Sequence, residues 1–273
     1  MQAISIALGA ILGAVFGSFT NVLIDRIPRK EPLSLPASHC DRCGEPLRWY
    51  DNIPIISWLA LRGRCRHCRT RIGWRSPAVE ALSAMLFALV IVAVDPLGQA
   101  GPLHIVSASL QTVALWTLIV VSLAVSVIDW STHRIPNRIL YPGAAVSLAA
   151  LVAAAIVQAD WDALLRLVVG GVALGLFYLA LAFVKPGAMG LGDVKLVAYI
   201  GAVAAWIGWS ALVVALVLPF LIGGVVVIAL VLARRVKRKD GIPFGPFITL
   251  GGYIAAVYGP QLVARYLGLW GLG

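Results

Sequence analysis

Charge is what this chain has least of. Only 12% of its 273 residues are charged, and acids are the scarcer sign, 12 Asp and Glu against 22 Lys and Arg. With 60% hydrophobic residues and a mean hydropathy of +0.92, there is too little polar surface to cover a water-soluble globule, which leaves a polytopic membrane protein. Cysteine is missing from all but one stretch, since the four in the chain fall between positions 40 and 68. The absence of a Gly-x-Ser-x-Gly elbow removes the usual serine nucleophile of the α/β-hydrolases. No strand, Gly-rich turn and helix follow one another in the way that cradles a nucleotide in doubly wound folds. A basic n-region is also lacking at Met1-Gln2-Ala3, and the apolar run that follows exceeds an ordinary h-region. The first segment is therefore expected to be a membrane helix and not a cleaved signal peptide.

A helix needs about 20 apolar residues to cross a bilayer, and eight stretches are candidates: 3–24, 77–94, 105–128, 139–157, 164–184, 196–207, 210–233 and 244–269. The sixth is the shortest, and its boundary with the seventh falls near Gly208-Trp209. The expected fold is an all-α polytopic membrane protein of about eight transmembrane helices, with a small module between helices 1 and 2. By composition the chain divides into a first membrane helix at 1–24, a polar module at 25–76 and a membrane domain at 77–273.

Placement of the basic residues sets the topology. Eleven of the 22 Lys and Arg lie in 25–76. Arg134, Arg138, Lys185, Lys195, Arg234, Arg235, Lys237, Arg238 and Lys239 bring the count on that side to 20 of 22. The opposite loops at 95–104 and 158–162 carry none. By the positive-inside rule the basic side is cytoplasmic and both termini lie outside. Because the basic clusters follow topology so closely, their expected partner is the anionic headgroups of membrane lipids and not nucleic acid.

The four cysteines form two C-x-x-C pairs, Cys40 with Cys43 and Cys65 with Cys68, separated by 21 residues. Each pair offers two thiolates from one tight knuckle, and Gly44 supports the positive φ such a turn favours. Four sulfurs complete a closed tetrahedral zinc site of the zinc-ribbon kind, structural because no position is left open for substrate. Two disulfides, or four unconnected thiols without metal, are the alternative; disulfides are disfavoured because cytoplasmic thiols are kept reduced. Between the knuckles, Trp49-Tyr50-Asp51-Asn52-Ile53-Pro54-Ile55-Ile56-Ser57-Trp58-Leu59 reads as a small core with an interfacial aromatic belt, or as a docking surface for an apolar or aromatic substrate segment.

Two acids stand apart. Asp129 closes the third apolar run, and Asp193 follows Gly190-Leu191-Gly192 at the start of the sixth. Both fall on the cytoplasmic side. Intramembrane carboxylates are costly and mark function, and two at one depth suggest a dyad that activates water, as in an aspartic protease. A helix C-terminus disfavours an anion and an N-terminus favours one, so Asp193 is expected to work ionised and Asp129 protonated. Each aspartate could instead be a helix cap at the water boundary. A coupling-ion site in a transporter and a non-enzymatic pilus or secretion assembly scaffold are the competing functions. Glu80, at the start of the second span, is the further acid of interest. Lys195 either tunes Asp193 or snorkels to headgroups. The pairs Gly13/Gly17 and Gly171/Gly175 have the spacing that lets membrane helices approach closely, which is packing without catalytic meaning.

These residues carry a resemblance. Gly17-Ser18-Phe19-Thr20-Asn21-Val22 through Arg26-Ile27-Pro28, Cys40 to Cys68 around Trp49-Tyr50-Asp51-Asn52-Ile53-Pro54, Asp129 with Ile135-Pro136, Gly190 to Leu196, and Pro243-Phe244-Gly245-Pro246-Phe247 resemble the type IV prepilin leader peptidases. These are bacterial membrane aspartic proteases of the Gly-x-Gly-Asp type, and the likeness covers nearly the whole chain. It implies cleavage of a basic leader from type IV prepilin or pseudopilin precursors at the cytoplasmic face of the inner membrane, with Asp129 and Asp193 as the family's aspartates. It also implies methylation of the new N-terminal residue with S-adenosylmethionine, an activity associated with the cysteine-bearing module. Glu45, Asp51 and Glu80 are candidate bases for that step, and Pro243-Phe244-Gly245-Pro246 is a candidate wall of the substrate path.

Overall fold

A computed structural model describes residues 2–34, 37–184, 189–235 and 242–271. Of the residues weighed above for topology, Lys185, Lys237, Arg238 and Lys239 lie outside the described residues. Among the described residues the regular elements are helices: α1 (Gln2–Arg29), a 3₁₀ turn (Trp49–Asn52), the short α2 (Ile56–Ala60), α3 (Arg75–Val94), α4 (Pro102–Thr132), α5 (Asn137–Gln158), α6 (Trp161–Val184), α7 (Leu191–Ile207), α8 (Trp209–Leu232) and α9 (Gly245–Leu269). Each apolar run becomes a helix, because inside a bilayer a backbone must satisfy its own hydrogen bonds.

Seven of these helices, 20 to 31 residues long, are long and apolar enough to cross a membrane. Their outward faces are apolar as well: Val172 and Leu176 of α6 and Val225 and Ile228 of α8 are all more than half exposed, as lipid-facing positions must be. The remaining expected span is α7, 17 residues long and therefore about 26 Å at 1.5 Å per residue. It is buried along most of its length, from Val194 to Ala205, and packs against α5, α6, α8 and α9. The break between sixth and seventh spans falls at Gly208, as expected.

The chain divides into two compact units, Met1–Ala124 and Val125–Gly273. In the first, α1 packs along α3 through glycine. A Cβ at Gly13 would lie 2.7 Å from the Ala84 Cα, and one at Gly17 would lie 2.6 Å from the Glu80 Cα. The two backbones touch, which is how small residues hold membrane helices together. Phe87, 1% exposed, stacks on Trp116 at 4.7 Å and meets Phe16 at 5.7 Å. In the second unit α6 packs on α7 and α8 on α9. Gly171 and Gly175 face Ala202 and Ala198 of α7. An aromatic cluster of Tyr178, Phe220, Phe244 and Phe247 fills the end of that unit where α9 begins.

Candidate active site

Asp129 and Asp193 both belong to the second unit, and that unit brings them within electrostatic range of each other. Asp129 lies in the last turn of α4 and is 5% exposed. Its Oδ2 accepts the backbone N–H of Gly245 at 3.0 Å. Gly245 opens α9, so this N–H is one of the donors that a helix start leaves without an intrahelical partner. The approach demands glycine, because a Cβ there would sit 2.7 Å from the same carboxylate oxygen. One turn back along α4, Ser126 and Thr249 share a hydrogen bond of 2.7 Å, which fixes the register of α4 against α9.

Asp193 occupies the first turn of α7. Its Oδ2 accepts the N–H of Gly190 at 3.1 Å, while Oδ1 is shut off from solvent with no hydrogen-bond partner. One oxygen of this carboxyl satisfies the helix start and the other is left without a partner. Gly192 lets Ile135, in the link after α4, close on this turn, since a Cβ would meet the Ile135 Cβ at 2.9 Å. Tyr178, completely buried, feels the charge of Asp193, and its hydroxyl has no partner either.

Sequence reasoning placed Asp129 in the unfavourable field of its own helix end. The structure adds the start of α9, whose field opposes that one. Each aspartate therefore has a helix-start N–H, and Asp193 in addition has an Oδ1 closed off from solvent without a partner. Lys195 turns away to Asn137 Oδ1 at 3.4 Å and to the face of Tyr141 at 5.2 Å. The contact that sequence reasoning missed is Gly245 to Asp129. Its signal was present in Pro243-Phe244-Gly245-Pro246, since proline in the first turn marks a helix start.

In the first unit all four cysteines converge, with their ligand atoms within 4.8 Å of one another. The knuckles repeat one geometry. Gly44 N–H donates to Cys40 O at 2.8 Å and Arg69 N–H to Cys65 O at 3.1 Å, with Gly44 at φ +69° and Arg69 at φ +57°. All four thiols are free, so the disulfide alternative is not realised. The Cys40 and Cys68 sulfurs lie 3.8 Å apart, as expected for two corners of a tetrahedron with metal–sulfur bonds of about 2.3 Å. The donor set and spacing fit zinc. Asp51 pairs with Arg66 at 2.6 Å, and the guanidinium hydrogen-bonded to it holds its carboxyl below the usual carboxylate range.

An all-helical protein with seven helices able to cross a membrane, and two carboxyls at helix ends within electrostatic range of each other, has the makeup of a membrane aspartic peptidase. Residues 11–94 match the bacterial peptidase A24 N-terminal domain, and residues 116–228 match the type IV leader peptidase family. The chain belongs to the type IV leader peptidase family. It is 33% identical to the prepilin leader peptidase/N-methyltransferase of Pseudomonas putida, over 97% of this chain and 95% of the relative. It is 32% identical to that of Pseudomonas aeruginosa, over 94% and 91%, and 34% identical to that of Stutzerimonas stutzeri, over 94% and 92%. No solved structure matched.

Proposed function

We propose that Asp129 and Asp193 form the catalytic dyad of a leader peptidase that cuts type IV prepilin or pseudopilin precursors. The observation that supports this most is the unpartnered, solvent-shielded Oδ1 of Asp193 within reach of the charge of a second buried carboxyl. Water between the two carboxyls gives a proton to the ionised one as its oxygen attacks the scissile carbonyl. The protonated partner gives its proton to the carbonyl oxygen. Collapse of the resulting gem-diol then breaks the C–N bond as the leaving amine takes the proton held by the first carboxyl, and one hydroxyl of the gem-diol returns a proton to the second.

In this reading the protein sits in the bacterial inner membrane with the dyad at the cytoplasmic face, among anionic lipids and without nucleic acid. Residues 1–24 serve as a membrane helix, 25–76 as a module closed by zinc on Cys40, Cys43, Cys65 and Cys68, and 77–273 as the membrane peptidase domain. The new N-terminal residue is then methylated. S-adenosylmethionine, when bound, supplies a sulfonium methyl group. A cavity of about 500 Å³ in the first unit, walled by Glu31, Asp41 and Glu80 beside Arg26 and Arg29 among others, supports placing a small charged ligand there.

Mass spectrometry of a pilin-like precursor's N-terminus after incubation with the protein reads cleavage and methylation together. Asp129→Asn and Asp193→Asn should each lower cleavage by 10³-fold or more, in the range of other general acid–base losses, while the protein remains in the membrane. Turnover of Asp193→Asn near the parent rate would rule out this role.

A further inference from the structure

Glu80 is the buried acid of the first unit that the peptidase reading leaves unused. It lies near the start of α3, 9% exposed, and no cation pairs with it among the described residues. Its Oε2 accepts the N–H of Ile55 at 2.7 Å, and Ser18 of α1 also hydrogen-bonds to the carboxylate. Ile55 centres a tight three-residue turn: its φ and ψ are 62° and −52°, and the Ile56 N–H donates to Pro54 O at 2.6 Å. A β-branched residue rarely adopts this strained γ-turn. Strain of this kind persists only where the surroundings impose it, and it gathers at functional sites.

Asn21 of α1, 8% exposed, lines the same cavity of about 500 Å³. Its Nδ2 donates to Ser76 O at 3.0 Å, which settles the orientation of the amide and leaves Oδ1 buried without a partner. Two other acids on that wall are engaged, Asp25 with Arg75 and Asp51 with Arg66, while Glu31 and Asp41 line it beside Arg26 and Arg29. A second cavity of about 600 Å³, which reaches Cys40 and Cys65, shares Asp25, Arg29 and Asp51 with the first.

Glu80 and Asn21 are thus two acceptors withdrawn from water. A buried carboxylate without a counter-charge is costly, and a ligand bearing several N–H donors and a positive charge would relieve both groups together. We propose that Glu80 and Asn21 hold the α-amino group of the processed substrate's first residue, with Glu80 as the base for its methylation. This rests on the reading that the protein methylates what it cuts. The ammonium gives one proton to Glu80. Its freed lone pair then takes the methyl group, the C–N bond forming as the sulfonium C–S bond breaks, and the donor leaves as a neutral thioether.

The test uses the full-length protein in detergent and a synthetic peptide with the mature pilin-like start and a free α-amine, beside the same peptide Nα-acetylated. The parent should bind the free amine at least tenfold tighter than the acetylated form. Glu80→Gln and Asn21→Leu should each erase that preference, and Glu80→Gln should lower kcat for methylation of the free peptide by 100-fold or more. Zinc content and the melting transition report whether each variant folds. Should either variant misfold, Asn21→Asp, which adds charge at nearly constant volume, should strengthen the preference for the amine. Variants that keep both the preference and methylation overturn the proposal while leaving methyl transfer intact. A parent that shows the Glu80-dependent preference yet never methylates overturns the methyl-transfer reading instead.

Discussion

Replacing Gly245 by alanine tests the geometry of the dyad without touching either acid. The new Cβ would lie 2.7 Å from Asp129 Oδ2, where ordinary van der Waals contact begins at 3.4 Å. Either the carboxylate or the start of α9 must therefore shift by about 0.7 Å. Catalytic groups tolerate about 0.5 Å of displacement, and a misplacement of about 1 Å can cost about 100-fold in rate. We expect Gly245→Ala to lose between about tenfold and 100-fold in cleavage rate, or about 1.4 to 2.7 kcal/mol of transition-state stabilisation. Stability should fall as well, by no more than the cost of an overpacked contact, about 1–3 kcal/mol, so rates are compared on protein shown to be folded at the assay temperature. The assay is initial-rate cleavage of a pilin-like precursor, with the melting transition measured on the same preparation. Gly224→Ala in α8 is the control, since nothing lies within 4 Å of its would-be Cβ, and it should match the parent. If Gly245→Ala also cleaves at the parent rate, the contact of α9 with Asp129 does not position the dyad.

Further predictions concern the first unit. Gly17→Val should force α1 away from α3, at a cost of about 1–3 kcal/mol typical of overpacking, seen as a lower melting temperature; an unchanged transition would deny the close approach at Glu80. Metal analysis should find one zinc per chain, and Cys65→Ser, at the buried thiol of the four, should reduce it to background; retained zinc would place the metal elsewhere. Asp51 is held below the usual carboxylate range by its hydrogen bonds from Arg66. The stability it lends is therefore full above about pH 4, the ordinary Asp value, and is lost as pH falls through the lowered value. The difference in stability between parent and Asp51→Asn, followed by tryptophan fluorescence, should close as pH drops below that point; a difference independent of pH contradicts the Arg66 pairing.

What could be read from the sequence was local. An apolar run is its own signal, so the spans from 3–24 to 244–269 foretold the membrane helices, and Gly208 foretold the break between α7 and α8. The C-x-x-C spacing foretold the cysteine cluster, because a knuckle is closed by neighbours; the left-handed Arg69 escaped notice because only glycine advertises that conformation. Contacts across the chain were not legible. Asp129 meets Gly245 over 116 positions, and no periodicity in α4 says which helix start will face it.

Glycine gives the clearest case of a local reading that stopped short. Gly13 and Gly17 were expected to be packing residues with no chemical meaning, and they do pack. Yet Gly17 presses on the Cα of Glu80 itself, and Ser18, the next residue, hydrogen-bonds to its carboxylate. The turn at Ile55 secures that carboxylate from the module side. Close approach of α1 to α3 is thus what buries Glu80 and brings Asn21 to the same cavity. Packing and chemistry are one arrangement here, and a bulkier side chain at position 17 should disturb both together.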